Sequence, residues 1–171
     1  MSRSLLIGCG QSRVKQVQYG GRAEWTGALT TLDMNPLCGA DVIWDMENLP
    51  LPFDDETFDE IGAYNVLEHW GRQGDFRRWF DEMAEYHRIL KPGGLFGAIV
   101  PIGRDALADP GHTRFFEGNY FGFLSQKFYE GNAVLKSCYT DYRWYWKLDF
   151  DVLYLHESDG HHLAVVLRRL P

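Results

Sequence analysis

The sequence predicts one α/β domain: a doubly wound, mostly parallel sheet that closes in an antiparallel hairpin. Three observations carry this. A short apolar run, Leu5-Leu6-Ile7, ends in Gly8-Cys9-Gly10. A second apolar and β-branched run, residues 28–32, ends in Asp33, twenty-three residues after Gly10. That matches the separation of about 20 between a glycine turn and an acid that binds ribose at the edge of an open sheet. Finally, two stretches rich in β-formers, residues 144–155 and 162–168, are joined through Asp159-Gly160, a strong hairpin signal.

Residues 4–7 read as the first strand. Residues 11–26 are polar, carry Tyr19-Gly20-Gly21 and show no helical apolar stripe. They predict a loop or a much reduced helix, so helices are reduced on the N-terminal side. Residues 28–32 read as the second strand. Asn35-Pro36 interrupts the chain, and few residues separate it from the next apolar run, 41–44. A parallel pair normally needs a crossover of about a dozen residues, so this side is pared down. Pro50 and Pro52 exclude a helix interior.

The fourth strand is predicted at 58–64. Asp75 is a fair N-cap for a helix whose apolar face is Phe76, Trp79, Phe80, Met83, Tyr86 and Leu90. Lys91-Pro92-Gly93-Gly94 should end that helix before a fifth strand at 95–100. Residues 102–116 predict a long irregular connection, of the kind that forms lids or binding loops. A short helix is expected within 119–128. One domain, 1–171, accommodates all of this: a cofactor-binding half (1–100), a lid or substrate region (101–141) and a terminal hairpin (142–171).

A chain of 171 residues can bury a substantial core. The net charge of −7 argues against a basic surface for nonspecific nucleic-acid binding, although a small basic groove stays open. No apolar run approaches the roughly 18 residues of a membrane helix, so no membrane partner is expected. Cys9, Cys38 and Cys138 are odd in number and lack paired spacing. They read as reduced thiols of a cytoplasmic protein. A shortened first helix would leave apolar sheet surface in need of cover, which a second copy in a homo-oligomer could supply.

Several ordered motifs resemble the class I S-adenosylmethionine-dependent methyltransferases, of the small "type 11" kind with a Rossmann-like sheet. They are Leu-Ile-Gly-Cys-Gly at 6–10, Leu-Asp at 32–33, Asp-Met-Glu-Asn-Leu-Pro-Leu-Pro-Phe at 45–53, Phe-Asp-Glu-Ile at 58–61, Asn-Val-Leu-Glu-His at 65–69 and Arg-Ile-Leu-Lys-Pro-Gly-Gly at 88–94. Compactness and truncated helices also resemble methyltransferase-like proteins of bacteriophages. The resemblance implies S-adenosylmethionine as cofactor. Gly8 and Gly10 would approach its methionine and ribose portion, and Asp33 would bind the ribose hydroxyls. Met34 would pack on the adenine, and Asp45 would accept from the adenine amino group, with Met46 supplying a neighbouring backbone or apolar contact. Asn65 would lie near the sulfonium, and Glu68 and His69 would border the same pocket. The sequence departs from the family pattern at Leu6, where an acid is usual, and at Ser12, where a third glycine is usual.

The methyl acceptor, small or macromolecular, is not legible. His69 is the candidate catalytic base, since its ordinary titration range suits one; the alternative is a histidine that only shapes the pocket. His112 and Arg114, on the expected lid, are candidate acceptor contacts; the alternative is a solvated loop anchored by Phe115 and Phe116. His161-His162 flank the hairpin turn as a surface pair. No Asp/His/Glu cluster has ligand spacing, so no metal is expected. Tyr142, Trp144, Tyr145 and Trp146 could stack on a base or ring, but alternating strand faces and core packing explain them more cheaply. Two alternatives to an active enzyme of this kind remain open: a degenerate methyltransferase-like binding or scaffold module, and a nicotinamide-dependent oxidoreductase, which the terminal hairpin disfavours.

Overall fold

The computed structural model describes all residues except Lys136 and Asp159, and all side chains except those two, Asp105 and Val134. Asp159 of the expected hairpin turn therefore lies outside the described residues. Among the described residues the sheet has seven strands in the order β3-β2-β1-β4-β5-β7-β6. These are β1 (Arg3–Ile7), β2 (Ala28–Asp33), β3 (Val42–Ile43), β4 (Phe58–Tyr64), β5 (Leu90–Pro101), β6 (Phe150–Ser158) and β7 (His162–Arg169). The first five are parallel. β7 runs antiparallel between β5 and β6, as the hairpin signal predicts. Helices α1 (Phe76–Ile89), α2 (Gly103–Ala108) and α3 (Gln126–Leu135) complete the chain with short 3-10 turns at Leu67–His69 and Phe121–Leu124.

Side-chain alternation divides the sheet into two unequal faces. Leu5, Ile7, Ile61, Ala63, Phe96, Ala98, Leu163 and Val165 point into the main core under α1. The Asp75 carboxylate caps α1 by accepting from the Arg78 amide at 3.1 Å. The face Trp79, Phe80, Met83 and Tyr86 is buried as the periodicity predicts, and Phe80 and Met83 each contribute about 1.5–3 kcal/mol by leaving water. Leu90, by contrast, already belongs to β5. Lys91-Pro92-Gly93-Gly94 lies within β5, where the register with β4 shifts between Phe58 and Glu60.

Leu6, Val17, Tyr64 and Val166 form a smaller cluster on the other face. Residues 11–26 cross it as an irregular strap in place of a helix. Trp25 stacks on Tyr64, with ring centroids 6.3 Å apart. It does so because Gly62 has no Cβ, which would meet the indole at 2.7 Å. Lys15 and Glu60 form a buried ion pair at 2.5 Å. Thr26 adds two donors to Glu60, its amide at 3.2 Å and its hydroxyl at 2.9 Å. The strap thus covers apolar sheet surface that a shortened first helix would leave bare.

Three local expectations change. β3 pairs parallel with β2 despite the short connection, because side chains supply part of the ladder: Asp41 Oδ2 accepts from the Thr31 amide at 2.8 Å and its hydroxyl at 2.7 Å. The 102–116 connection is not wholly irregular, since it contains α2. Residues 144–149 are not strand. The Tyr145 and Trp146 amides both donate to Tyr142 O at 2.8 Å, and the aromatics fold onto α1, with Trp146 stacked on Phe80 at 5.3 Å. Packing overrides their β propensity.

Candidate active site

Strands β1, β2, β4 and β5 all end at one edge, and the order reverses between β1 and β4. Such a switch point opens a ligand crevice at the carboxyl ends of the strands. Gly8 and Gly10 stand there with φ of +61° and +47°. A Cβ on Gly8 would collide with Val66, so this glycine lets the turn after β1 pack against the segment after β4. At Gly10 a Cβ would point into open space; this turn leaves its backbone accessible to a ligand.

Asp33 ties the crevice together. Its Oδ2 accepts from the Gly10 amide at 2.8 Å and its Oδ1 from the Asn35 amide at 2.8 Å. Each carboxylate oxygen retains capacity for a further donor, and the side chain is half-buried. Arg13 holds the same two turns from behind: its guanidinium donates to Gly10 O at 3.1 Å, Ser12 O at 2.9 Å and Gly39 O at 2.9 Å. Sequence reasoning missed Arg13, because nothing in its spacing marks a clamp between the β1 and β2 loops. Burial is the main reason the Cys9 thiol is pushed up to about 11, which leaves it a protonated packing group.

Met34 is exposed beside Asp33. Asp45 is exposed past β3, its Oδ1 accepting from the Glu47 amide at 2.9 Å. The Met46 side chain is not in the crevice but in the main core, and its carbonyl is held by Arg78 at 2.5 Å. Asn65 follows β4 in the left-handed region, φ +51°, with its amide bonded to Ile99 O at 2.8 Å. That conformation is uncommon outside glycine and is best tolerated by Asn, and it leaves the side chain exposed.

The segment 109–116 folds back over the turn Leu67–His69. Glu68 O accepts from the Thr113 and Arg114 amides at 2.8 and 3.1 Å. This brings His112 beside Glu68 and His69. The two imidazoles meet edge to face at 4.7 Å, and His112 Nε2 lies 3.9 Å from Glu68 Oε1. Glu68 is 1% exposed, and burial raises its carboxyl to about 7, partly offset by hydrogen bonding and by His112. His69 is exposed, with Nδ1 3.3 Å from Gly111 O.

Arg114 does not sit on a lid surface. It is fully buried, donates to Glu82 Oε2 at 2.8 Å, and lies over the Trp79 ring at 5.0 Å. Glu82 also accepts from the Tyr86 hydroxyl at 2.9 Å. The expected acceptor contact is thus corrected to a clamp between the 109–116 segment and α1. Alternation along Gly-His-Thr-Arg-Phe-Phe explains it: His112, Arg114 and Phe116 share the inward side, His112 beside Glu68, and Arg114 and Phe116 deeper in the core. A cavity of about 170 Å³ lies nearby, lined by Phe76, Trp79, Phe80, Tyr120, Phe123 and Tyr142.

The crevice fits a nucleoside cofactor with a ribose diol: an open glycine turn, a half-buried carboxylate between two loops and an exposed left-handed Asn. Together with five parallel strands and a terminal antiparallel pair, it defines the class of S-adenosylmethionine-dependent methyltransferase folds.

The family model described as "Methyltransferase domain" matches residues 5–98, and the chain belongs to that family, with S-adenosylmethionine as its cofactor. The chain is similar to human "Probable tRNA methyltransferase 9B", 35% identical over 91 residues, covering 52% of this chain and 19% of that protein. It is 34% identical over 76 residues to a "Probable S-adenosylmethionine-dependent methyltransferase" of Mycolicibacterium smegmatis, covering 41% of this chain and 26% of that protein. It therefore spans only about a fifth to a quarter of these relatives. Among solved structures it resembles a methyltransferase of Methanosarcina mazei, with TM-score 0.56, 14% identity and coverage of 98% and 92% of the two chains. It also resembles a chain of the complex between the Haloferax volcanii Trm112 methyltransferase activator and a methyltransferase, with TM-score 0.58, 15% identity and coverage of 99% and 83%. A third likeness is to the N-methyltransferase NodS of Bradyrhizobium japonicum in complex with S-adenosylhomocysteine, with TM-score 0.52, 14% identity and coverage of 98% and 78%. At these identities the structures speak to fold alone. Among the described residues no helix is long and apolar enough to cross a membrane.

Proposed function

We propose that this domain catalyses methyl transfer to an acceptor bound between the carboxyl edge of the sheet and the 109–116 segment. When bound, S-adenosylmethionine supplies an activated methyl group, so the protein's main work is alignment and exclusion of water. Asp33 would accept from the ribose hydroxyls. The Gly8–Gly10 turn would present backbone to the methionine and ribose portion. Met34 would lie on the adenine, Asp45 would accept from its amino group, and Met46 would support that contact from the core. Asn65 would face the reacting end.

On the acceptor side we place His69 and His112, with Glu68 behind them. The exposed His69 is the group that would meet an acceptor proton. Arg114 positions this wall by anchoring it to α1 rather than by touching the acceptor.

The observation that carries the reading is the 2.8 Å bond from the Gly10 amide to Asp33 Oδ2. It sets a carboxylate at the mouth of an open glycine turn. Calorimetric titration with S-adenosylhomocysteine tests it: binding by the wild-type chain and loss in a folded Asp33→Ala variant support it. A folded wild-type chain that binds neither S-adenosylhomocysteine nor S-adenosylmethionine would favour the scaffold reading instead.

A further inference from the structure

Glu68, His69 and His112 each offer a ligand atom within 4.8 Å of the others. They come from two segments far apart in sequence, a 3-10 turn and the returning 109–116 segment, so no sequence spacing marks them as a set. We infer that this cluster is a binding site for a divalent transition-metal ion of the zinc type. The inference deepens the reading of the acceptor-side wall and rests on that reading for its relevance to catalysis, not for the site itself.

Four features converge. First, Glu68 Oε2 is buried without a hydrogen-bond partner, and among the described residues no Lys or Arg forms an ion pair with Glu68. A buried carboxylate oxygen left without a donor is costly, and a cation would satisfy it. Second, His112 Nδ1 lies 2.9 Å from Ala106 O. A carbonyl only accepts, so Nδ1 carries the proton and Nε2 presents its lone pair 3.9 Å from Glu68 Oε1. Metal-binding histidines are characteristically oriented by such a bond through the second ring nitrogen. Third, Asp109 Oδ2 lies 4.0 Å from the same Nε2, adding negative charge to the site. Fourth, His69 is exposed, so an ion can enter and an acceptor can reach it. Two imidazoles and one carboxylate leave coordination positions open and suit Zn²⁺ and its neighbours better than Mg²⁺ or Ca²⁺. An ion here would lower the proton affinity of an acceptor oxygen or nitrogen bound to it, easing the same proton loss that the proposed function assigns to this wall.

The experiment uses the full chain, stripped with a chelator and titrated with Zn²⁺ alone by calorimetry, with Co²⁺ added separately for visible absorption. One Zn²⁺ per chain is expected, weakened by about tenfold or more in Glu68→Gln and in His112→Ala, since even partners behind the ligands are worth about 10–100-fold. His162→Ala, at the hairpin, should bind Zn²⁺ as the wild type does. Melting curves without metal check that each variant folds, and the Co²⁺ spectrum of His69→Ala reads the same site should Glu68→Gln fail to fold. No Zn²⁺ uptake by the wild-type chain, or equal affinity in all folded variants, overturns the inference. Asp33→Ala separates the two readings: it should lose S-adenosylhomocysteine and keep Zn²⁺. Zn²⁺ absent with S-adenosylhomocysteine bound removes only the metal site.

Discussion

Asp33 Oδ2 accepts the Gly10 amide across the mouth of the crevice at 2.8 Å, joining the end of β2 to the turn after β1. The bond preorganises a carboxylate that would otherwise be mobile. Asp33→Ala removes this tie and, on the proposed function, the charge-assisted bonds that Asp33 would make to a ribose diol, worth about 1.5–3 kcal/mol. S-adenosylhomocysteine affinity should fall by about 10–100-fold in calorimetry. Asp33→Asn, which keeps an acceptor oxygen, should lose less.

Arg114 and Glu82 form a fully buried ion pair at 2.8 Å. Removing one partner strands the other charge in the core, at a cost of about 3–5 kcal/mol. Arg114→Ala should therefore unfold at markedly lower denaturant concentration. The double variant Arg114→Met/Glu82→Leu should recover much of the loss. Equal destabilisation in the single and double variants would show that the pair is not what Arg114 contributes.

Gly62 makes room for Trp25 on the strap face. Gly62→Ala must push the indole off Tyr64, an overpacking cost of about 1–3 kcal/mol. Chemical denaturation should show a lower midpoint with an unchanged slope. Trp25 fluorescence offers no simple readout among several tryptophans, so near-ultraviolet dichroism of Gly62→Ala against wild type is the second measure.

His87 is held neutral by burial and by Arg169, its imidazole lowered to about 4 from an ordinary 6.5, and its Nε2 lies 3.1 Å from Leu170 O. The unfolded chain takes up this proton first as pH falls. The His87 contribution is therefore fully present above about 6.5 and is lost progressively as pH drops towards about 4. In His87→Gln, the decline of unfolding free energy over this window should be shallower than in wild type.

Local patterns in the chain were enough to read the strand sequence, the α1 face, the Asp75 cap and the terminal hairpin. Each depends on a period of two or 3.6, or on a cap or turn residue, within a short window. The glycine turn and Asp33 were legible for the same reason: a strand end fixes the position of the residue that follows it. Strand content at 144–149 was misread because aromatics favour strands in isolation, whereas here Trp146 finds Phe80.

The sequence by itself determined a parallel sheet with an antiparallel finish, and a glycine turn, Gly8 and Gly10, facing an acid, Asp33, at one edge of the sheet. Only the tertiary structure decided what the 109–116 segment does. It buried Arg114 against Glu82 and set His112 beside Glu68 and His69. It also laid the loop expected at 11–26 across the sheet as a strap held by Trp25 and Lys15, and clamped the two crevice turns with Arg13. The physical reason is range. Periodicity and capping act between near neighbours along the chain, but a buried charge must find its partner wherever the fold brings one. Glu82 and Arg114, or Glu68 and His112, meet only after the core has closed around them.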